Sequence, residues 1–294
     1  MRSKGTLPDQ SRPEAELFRR VKALQLQTRR QVDEHLAGEY QSAFKGRGME
    51  FDQVREYVPG DDPRHIDWMV TARLGHPYIK TYHEERELSV FFVIDGSASS
   101  GFGLEGASRY QKSVEVAATI GLSGLRKNDA LGLLVFTDQI ELFIPPKKGR
   151  KHLMRLLREM LYFQPEHKGT DLKGALEYCN HALKRRGVIF VLSDFISPEG
   201  YEKPLRHLAK KQDLVAIETG AAQLNELKGM GLLEVEDLET GQRVLIDTDL
   251  LPQTPSEDRS RFFTGLGADY LKLAEGEDLQ KTLTRFFLKR GRRR

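Results

Sequence analysis

Leu88-Ser-Val-Phe-Phe-Val-Ile-Asp95-Gly-Ser-Ala-Ser99 is the stretch on which the fold turns. The apolar run Leu88 to Ile94 reads as a buried strand. It delivers one carboxylate and two hydroxyls, at alternate positions Asp95, Ser97 and Ser99, to the rim of a sheet. Three oxygens at that spacing suit a hard divalent cation such as Mg²⁺, which takes oxygen ligands in near-octahedral geometry.

Downstream of this strand, apolar runs alternate with helical patterns, which predicts an α/β domain with a doubly wound, mainly parallel sheet. A helix is expected from about Ser108 to Lys127, with Val114, Ala118, Gly121 and Leu125 on one face. Ala130 to Phe136 and Ile140 to Ile144 read as strands joined by Thr137-Asp138-Gln139, a link short enough for an antiparallel hairpin at the sheet edge. Pro145-Pro146 should break the chain before the next helix, which carries Leu153, Leu156, Leu157 and Met160. A further helix begins near Asp171 and turns Cys179 toward the core. Val188 to Leu192 is a second buried strand, and a helix near Pro204 to Lys211 leads to a third, Leu214 to Glu218. Leu232 to Thr248 alternates apolar and polar residues around Glu239-Thr240-Gly241, the pattern of a hairpin with one face packed down. Asp269 to Leu271 is a short strand, and a last helix carrying Leu279, Leu283 and Phe287 dissolves into basic residues Lys289 to Arg294.

Upstream, Leu17, Val21, Leu24, Val32 and Leu36 form a narrow apolar stripe, predicting a helix from about Pro13 to Leu36. Gly38 to Tyr82 reads as turns and short strands crowded with charge. The expected organisation is an N-terminal helix and short-strand region over residues 1–85, the main domain over 86–290 with its hairpin near 232–248, and a basic tail at 291–294. As scaffold, Arg55, Asp61, Asp62, Arg64 and Asp67 would pair with one another and bury Trp68. As interface, they would form a charged docking surface.

The chain has 294 residues, of which 39% are apolar and 30% charged, with a net charge of +3. This composition describes a soluble globular protein and does not by itself point to nucleic acid. A single cysteine, Cys179, excludes an intrachain disulfide and a cysteine–histidine zinc cluster, and points to reducing cytoplasm. Met1 to Gln10 has no apolar core for a secretory signal, and no apolar run approaches the roughly 20 residues of a membrane span. The expected location is cytoplasmic.

Ligands of open α/β sheets bind at the carboxyl ends of the strands. Asp194, just past Val188 to Leu192, falls there, and so does Thr170, where a loop turns into a helix. Each has a structural reading: Ser97 and Ser99 as turn residues, Thr170 as a helix cap, Asp194 as a cap for the next helix. Their shared rim favours a cation site of Asp95, Ser97, Ser99, Thr170 and Asp194, with Asp194 binding directly or through water. Such a cation is incompletely neutralised and would attract an acidic residue of a partner.

Asp95-x-Ser97-x-Ser99, Thr170 and Asp194 resemble the metal-ion-dependent adhesion site of von Willebrand factor A domains. The block Gly46-Arg-Gly-Met-Glu-Phe-Asp-Gln-Val-Arg-Glu-Tyr-Val-Pro-Gly-Asp-Asp-Pro-Arg-His-Ile-Asp-Trp68 is more specific. With Thr71-Ala72-Arg73, Glu84-Glu85-Arg86 and Gly267-Ala-Asp-Tyr270, it resembles the bacterial domain-of-unknown-function-58 family, whose members carry an A-type domain. The resemblance covers most of the chain. It implies a von Willebrand factor A-like fold, Mg²⁺ (or Mn²⁺ or Ca²⁺) as cofactor, and a role as partner or adaptor of a MoxR-type AAA+ ATPase. Ser99-Ser100-Gly101 stands where many relatives have Ser-Met, so the ligand positions are kept and the lip of the site reads as more polar.

No phosphate loop, no Gly-x-Ser-x-Gly elbow and no His-Glu-x-x-His occurs, and Ser97 stands where an aspartyl phosphatase needs its second Asp. The residues therefore favour a protein-interaction module over an enzyme. A metal-dependent hydrolase is the alternative. A weak nucleic-acid or anionic-surface binder acting through the basic termini is the other.

Overall fold

A computed structural model of the chain describes residues 34–44, 50–83, 88–101, 108–196, 200–220, 231–236, 243–249, 259–274 and 277–292. In chain order the elements are α1 (Glu34–Ala43), β1 (Glu50–Glu56), α2 (Trp68–Leu74), β2 (Tyr78–His83), β3 (Ser89–Asp95), α3 (Arg109–Arg126), β4 (Ala130–Phe136), β5 (Ile140–Lys147), α4 (Arg150–Tyr162), α5 (Leu172–Ala182) and β6 (Val188–Ser193). They continue with α6 (Glu202–Lys211), β7 (Asp213–Glu218), β8 (Leu232–Glu236), β9 (Arg243–Asp247), α7 (Arg259–Leu266), β10 (Asp269–Lys272) and α8 (Leu279–Gly291).

Six strands form the central sheet in the order β10-β7-β6-β3-β4-β5. All pairs are parallel except β4–β5 at the edge. The fold is the doubly wound, mainly parallel α/β sheet that the alternation predicts. Strand β3 is central and buried on both sides, because successive side chains point to opposite faces. Val90, Phe92 and Ile94 join one core with residues of α1, α3, α4 and α8. Phe91 and Val93 join the other, with residues of α5, α6 and α7. By the same alternation Asp95 at the end of β3 and Ser193 at the end of neighbouring β6 share a face, next to each other.

Pro145 and Pro146 do not end their strand. β5 runs through them to Lys147, and they occupy a slip in register where Leu133 pairs with Ile144 and Leu131 with Lys147. An edge strand with a bulge tolerates the missing N–H groups that a central strand would not.

The N-terminal helix is expected to stop at Leu36, and Pro13 to Asp33 lies outside the described residues. The helix described there runs to Ala43, since Leu36, Tyr40, Ala43 and Phe44 continue its apolar stripe and are all buried. The rings of Tyr40 and Phe44 pack on Phe287 of α8. The last helix also outruns its prediction. Lys289 and Arg290 belong to α8, and Arg290 is buried at 3% exposure, bonded to Asp213 and Asp269. It is a core residue, although in sequence it belongs to the basic run into which the helix is expected to dissolve.

β1 and β2 form a separate antiparallel pair with α2 between them. The expected ion pairs form, Arg55–Asp61 and Arg64–Asp62 at 2.7 Å each, and Asp67 caps α2 while pairing with Lys80 at 3.2 Å. Trp68 is not buried among them; it is 70% exposed on the first turn of α2. The hairpin β8–β9 is present, with cross-strand partners Leu233 and Ile246 half-buried. Its packed face is smaller than expected, because Val244 and Leu245 are exposed. The turn at Glu239-Thr240-Gly241 and Glu84-Glu85-Arg86 lie outside the described residues.

Candidate metal centre

The site is built where β3 gives way to a turn. The Gly96 N–H donates to the Phe136 carbonyl of β4 at 2.8 Å. A Cβ at Gly96 would stand 2.6 Å from the Phe163 ring and 2.9 Å from Val135, so the backbone passes there only as glycine. Residues Ala98 to Gly101 then form one 3-10 turn.

Asp95 is 4% exposed, and its oxygens are shared among hydroxyl and amide donors. One oxygen accepts from the Ser97 N–H at 3.0 Å and the Ser97 hydroxyl at 2.6 Å. The other accepts from the Ser193 hydroxyl at 2.8 Å. The hydroxyls of Ser97 and Ser99 stand 3.1 Å apart. Burial pushes the Asp95 carboxyl above the usual carboxylate range; the Ser97 hydrogen bond opposes that shift, and the nearby Asp194 charge adds to it. Ser100 is buried, and its hydroxyl donates to the Ser97 carbonyl at 2.7 Å.

Asp194 is the first residue past β6 and does not cap α6, whose cap position is Tyr201. The chain turns beside it through Phe195, which holds a left-handed φ of 57°. That conformation is uncommon for a bulky residue, and it is held here by the Phe195 ring, 4.7 Å from Phe263. One carboxylate oxygen of Asp194 accepts from the Ile196 N–H at 2.9 Å. The other is bonded to the guanidinium of Arg109, the first residue of α3. The same guanidinium donates to the Ser99 carbonyl at 2.7 Å.

Asp95, Ser97, Ser99 and Asp194 are thus drawn together, directly or through Ser193 and Arg109. Thr170 comes from the facing loop and is itself buried. That loop is tied to the turn by the bond from Ala98 N–H to the Lys168 carbonyl at 3.0 Å, and to the residue just past β4 by Asp171 N–H on the Thr137 carbonyl at 2.7 Å. The cap of α5 is Asp171, which accepts from Gly174 N–H at 2.8 Å, so capping is not the role of Thr170.

Three groups escape a linear reading. Ser193 is next to Asp194 and could have been found by alternation, since it shares the face of Asp95. Arg109 looks in sequence like a solvated helix residue after its cap Ser108. Arg259 donates to the Asp194 carbonyl at 2.6 Å and to Glu218, which is 2% exposed, at 3.2 Å. Asp95, Ser100, Arg109, Ser193, Asp194 and Thr219 line a narrow crevice over the site.

The donor chemistry fits a hard cation: carboxylate and hydroxyl oxygens, with a guanidinium already standing as a cation between Ser99 and Asp194. Among the described residues no three His, Cys, Asp or Glu side chains converge on a metal position. The set therefore rests on two carboxylates supplemented by hydroxyls.

Residues 53–255 match the family described as "Protein of unknown function DUF58". The chain belongs to the DUF58 family. An uncharacterized protein of Mycobacterium tuberculosis, Rv1480, is 30% identical over 282 residues, covering 92% of this DUF58 chain and 89% of its own. The uncharacterized protein YeaD of Bacillus subtilis is 28% identical over 107 residues, covering 36% of this chain and 25% of its own. Among solved structures, the conserved hypothetical protein BatB from Bacteroides thetaiotaomicron is similar at TM-score 0.46 and 14% identity, over 70% of this chain and 99% of that one. A von Willebrand factor type A protein from Catenulispora acidiphila gives TM-score 0.42 and 10% identity, over 73% and 44%. No helix among the described residues is long and apolar enough to cross a membrane.

Proposed function

We propose that this DUF58 chain is a divalent-cation-dependent protein-interaction module of the metal-ion-dependent adhesion type. The observation that supports it is the gathering of Asp95, Ser97, Ser99 and Asp194 at the carboxyl rim of one parallel sheet, with Thr170 on the loop tied beside them. Mg²⁺ is the natural occupant, with Mn²⁺ or Ca²⁺ as substitutes. Asp95, Ser97, Ser99 and Thr170 would hold it, and Asp194 would do so directly or through water. The ion supplies an electrophilic position for an external oxygen, and a partner's Asp or Glu is the ligand that such an under-neutralised cation recruits. By the resemblance of the chain, the partner would be a MoxR-type AAA+ ATPase or its client, with this protein as adaptor.

The test uses the purified full chain and the purified MoxR-type ATPase of the same genome. Titration calorimetry should show Mg²⁺ binding to the wild type and none to Asp95→Ala, with circular dichroism unchanged. Capture of the ATPase should require Mg²⁺ and fail in EDTA. Undiminished capture in EDTA would remove the metal from the reading. Hydrolysis of phosphoesters or peptides that is lost in Asp95→Ala would replace the module by an enzyme.

A further inference from the structure

We propose that Arg109 is the resident cation of this site, and that a divalent ion binds by displacing its guanidinium from Asp194. The inference rests on the cation reading above and concerns what sets the affinity of that site.

The placement of Arg109 is not explained by its helix. It is the first residue of α3, where the macrodipole is positive and a cation is disfavoured. Its charge is satisfied across the site instead. One guanidinium nitrogen meets Asp194 past β6, and the other meets the Ser99 carbonyl in the turn after β3. A metal held by Ser99 and Asp194 must span the same two walls. Both oxygens of Asp194 are engaged, one by Ile196 N–H and one by Arg109. Direct coordination by Asp194 therefore competes with the Arg109 guanidinium for the carboxylate, since each of its oxygens already accepts one hydrogen bond.

The pair is poorly hydrated, with 13% of the Arg109 side chain and 7% of the Asp194 side chain exposed, so a second cation beside an undisplaced guanidinium meets weak screening. The charge count gives the consequence. A divalent ion together with Arg109 exceeds the charge of Asp95 and Asp194 by one, and a single carboxylate from outside cancels the excess. Arg109 thus keeps the bare site weak for metal and makes metal and an acidic ligand bind more tightly together than apart.

The experiment is a Mn²⁺ titration followed by electron paramagnetic resonance on wild type, Arg109→Gln, Arg109→Lys and Asp95→Ala. Arg109→Gln should bind Mn²⁺ at least about tenfold more tightly than wild type, the scale of removing one like-charge contact in a partly buried site. Arg109→Lys, which keeps the charge, should stay near wild type. Equal or weaker binding by a folded Arg109→Gln overturns the proposal, and leaves the cation site standing if Asp95→Ala still abolishes binding. Absence of Mn²⁺ binding in every form overturns both. On the wild type alone, the Arg109 Nε–H resonance should move as Mg²⁺ is added. A resonance that stays fixed while Mg²⁺ binds overturns the displacement, whatever the variants do.

Discussion

Two arginines stand at opposite ends of the same sheet, Arg290 buried at its amino end and Arg109 half-buried at its carboxyl end. Arg290 bonds Asp213 at the start of β7 and Asp269 at the start of β10, reaches the Ala43 carbonyl at 3.3 Å, and lies 4.4 Å over the Phe44 ring. Its one charge faces two carboxylates, and its flat surface is covered by an aromatic ring. Arg109 has one carboxylate and one carbonyl, and it borders a crevice lined with hydroxyls. Both are shielded from much of the solvent, Arg290 more fully than Arg109. The acceptors differ, and they separate an arginine that ties α1, α8 and two strands together from one that a different cation can replace.

Removing Arg290 should have the largest effect on stability. Arg290→Ala leaves Asp213 and Asp269 without their buried partner, a loss of about 3–5 kcal/mol by analogy with other broken buried pairs. Urea denaturation should show the same loss in Mg²⁺ and in EDTA. Arg109→Gln should cost less, about 1–3 kcal/mol in EDTA, because Asp194 keeps its Ile196 N–H bond. Saturating Mn²⁺ should restore most of that stability by binding only the folded state. If metal rescues both variants, or neither, the contrast between the two arginines collapses.

Asp129 sharpens the comparison because it is a buried acid held without an arginine. It accepts from the Tyr40 hydroxyl at 3.0 Å and the Leu88 N–H at 3.1 Å. Burial pushes its carboxyl up to about 7, against the lowering effect of those hydrogen bonds and of Lys127. A folded-state value above the unfolded one near 3.9 means that the native state binds the extra proton. This contribution to stability is full below about pH 4 and is lost as pH rises toward 7. Asp129→Asn should flatten that decline in a pH series of thermal melts. The smallest effect is expected at Arg64, whose side chain is 88% exposed in its pair with Asp62. Arg64→Ala should leave stability indistinguishable from wild type in the same denaturation assay.

The sheet was legible because periodicity reports burial. β3, β4, β6 and β7 are continuous apolar runs, and the oxygen-bearing residues after β3 and β6 could be placed on a rim from strand direction alone. What escaped the sequence was the partner of each charge. Arg290 reads as one of the basic residues into which the last helix dissolves, because its carboxylates, Asp213 and Asp269, are far from it along the chain. Arg109 reads as a solvated residue for the same reason, with Asp194 far along the chain in the turn past β6. Trp68 reads as core because tryptophan usually is, but α2 buries none of its residues. Thr170 and Asp171 are adjacent and both capable of capping, and only the bond to Gly174 distinguishes them.

The edges of the sheet limit how this protein can meet another. On one side β5 carries Pro145 and Pro146, which cannot donate backbone hydrogen bonds, and on the other β10 is only four residues long. Neither border offers a good template on which a foreign strand could extend the sheet. Recognition by β-augmentation is thereby discouraged along both borders of this domain, and so is its pathological counterpart, the edge-to-edge growth of aggregates.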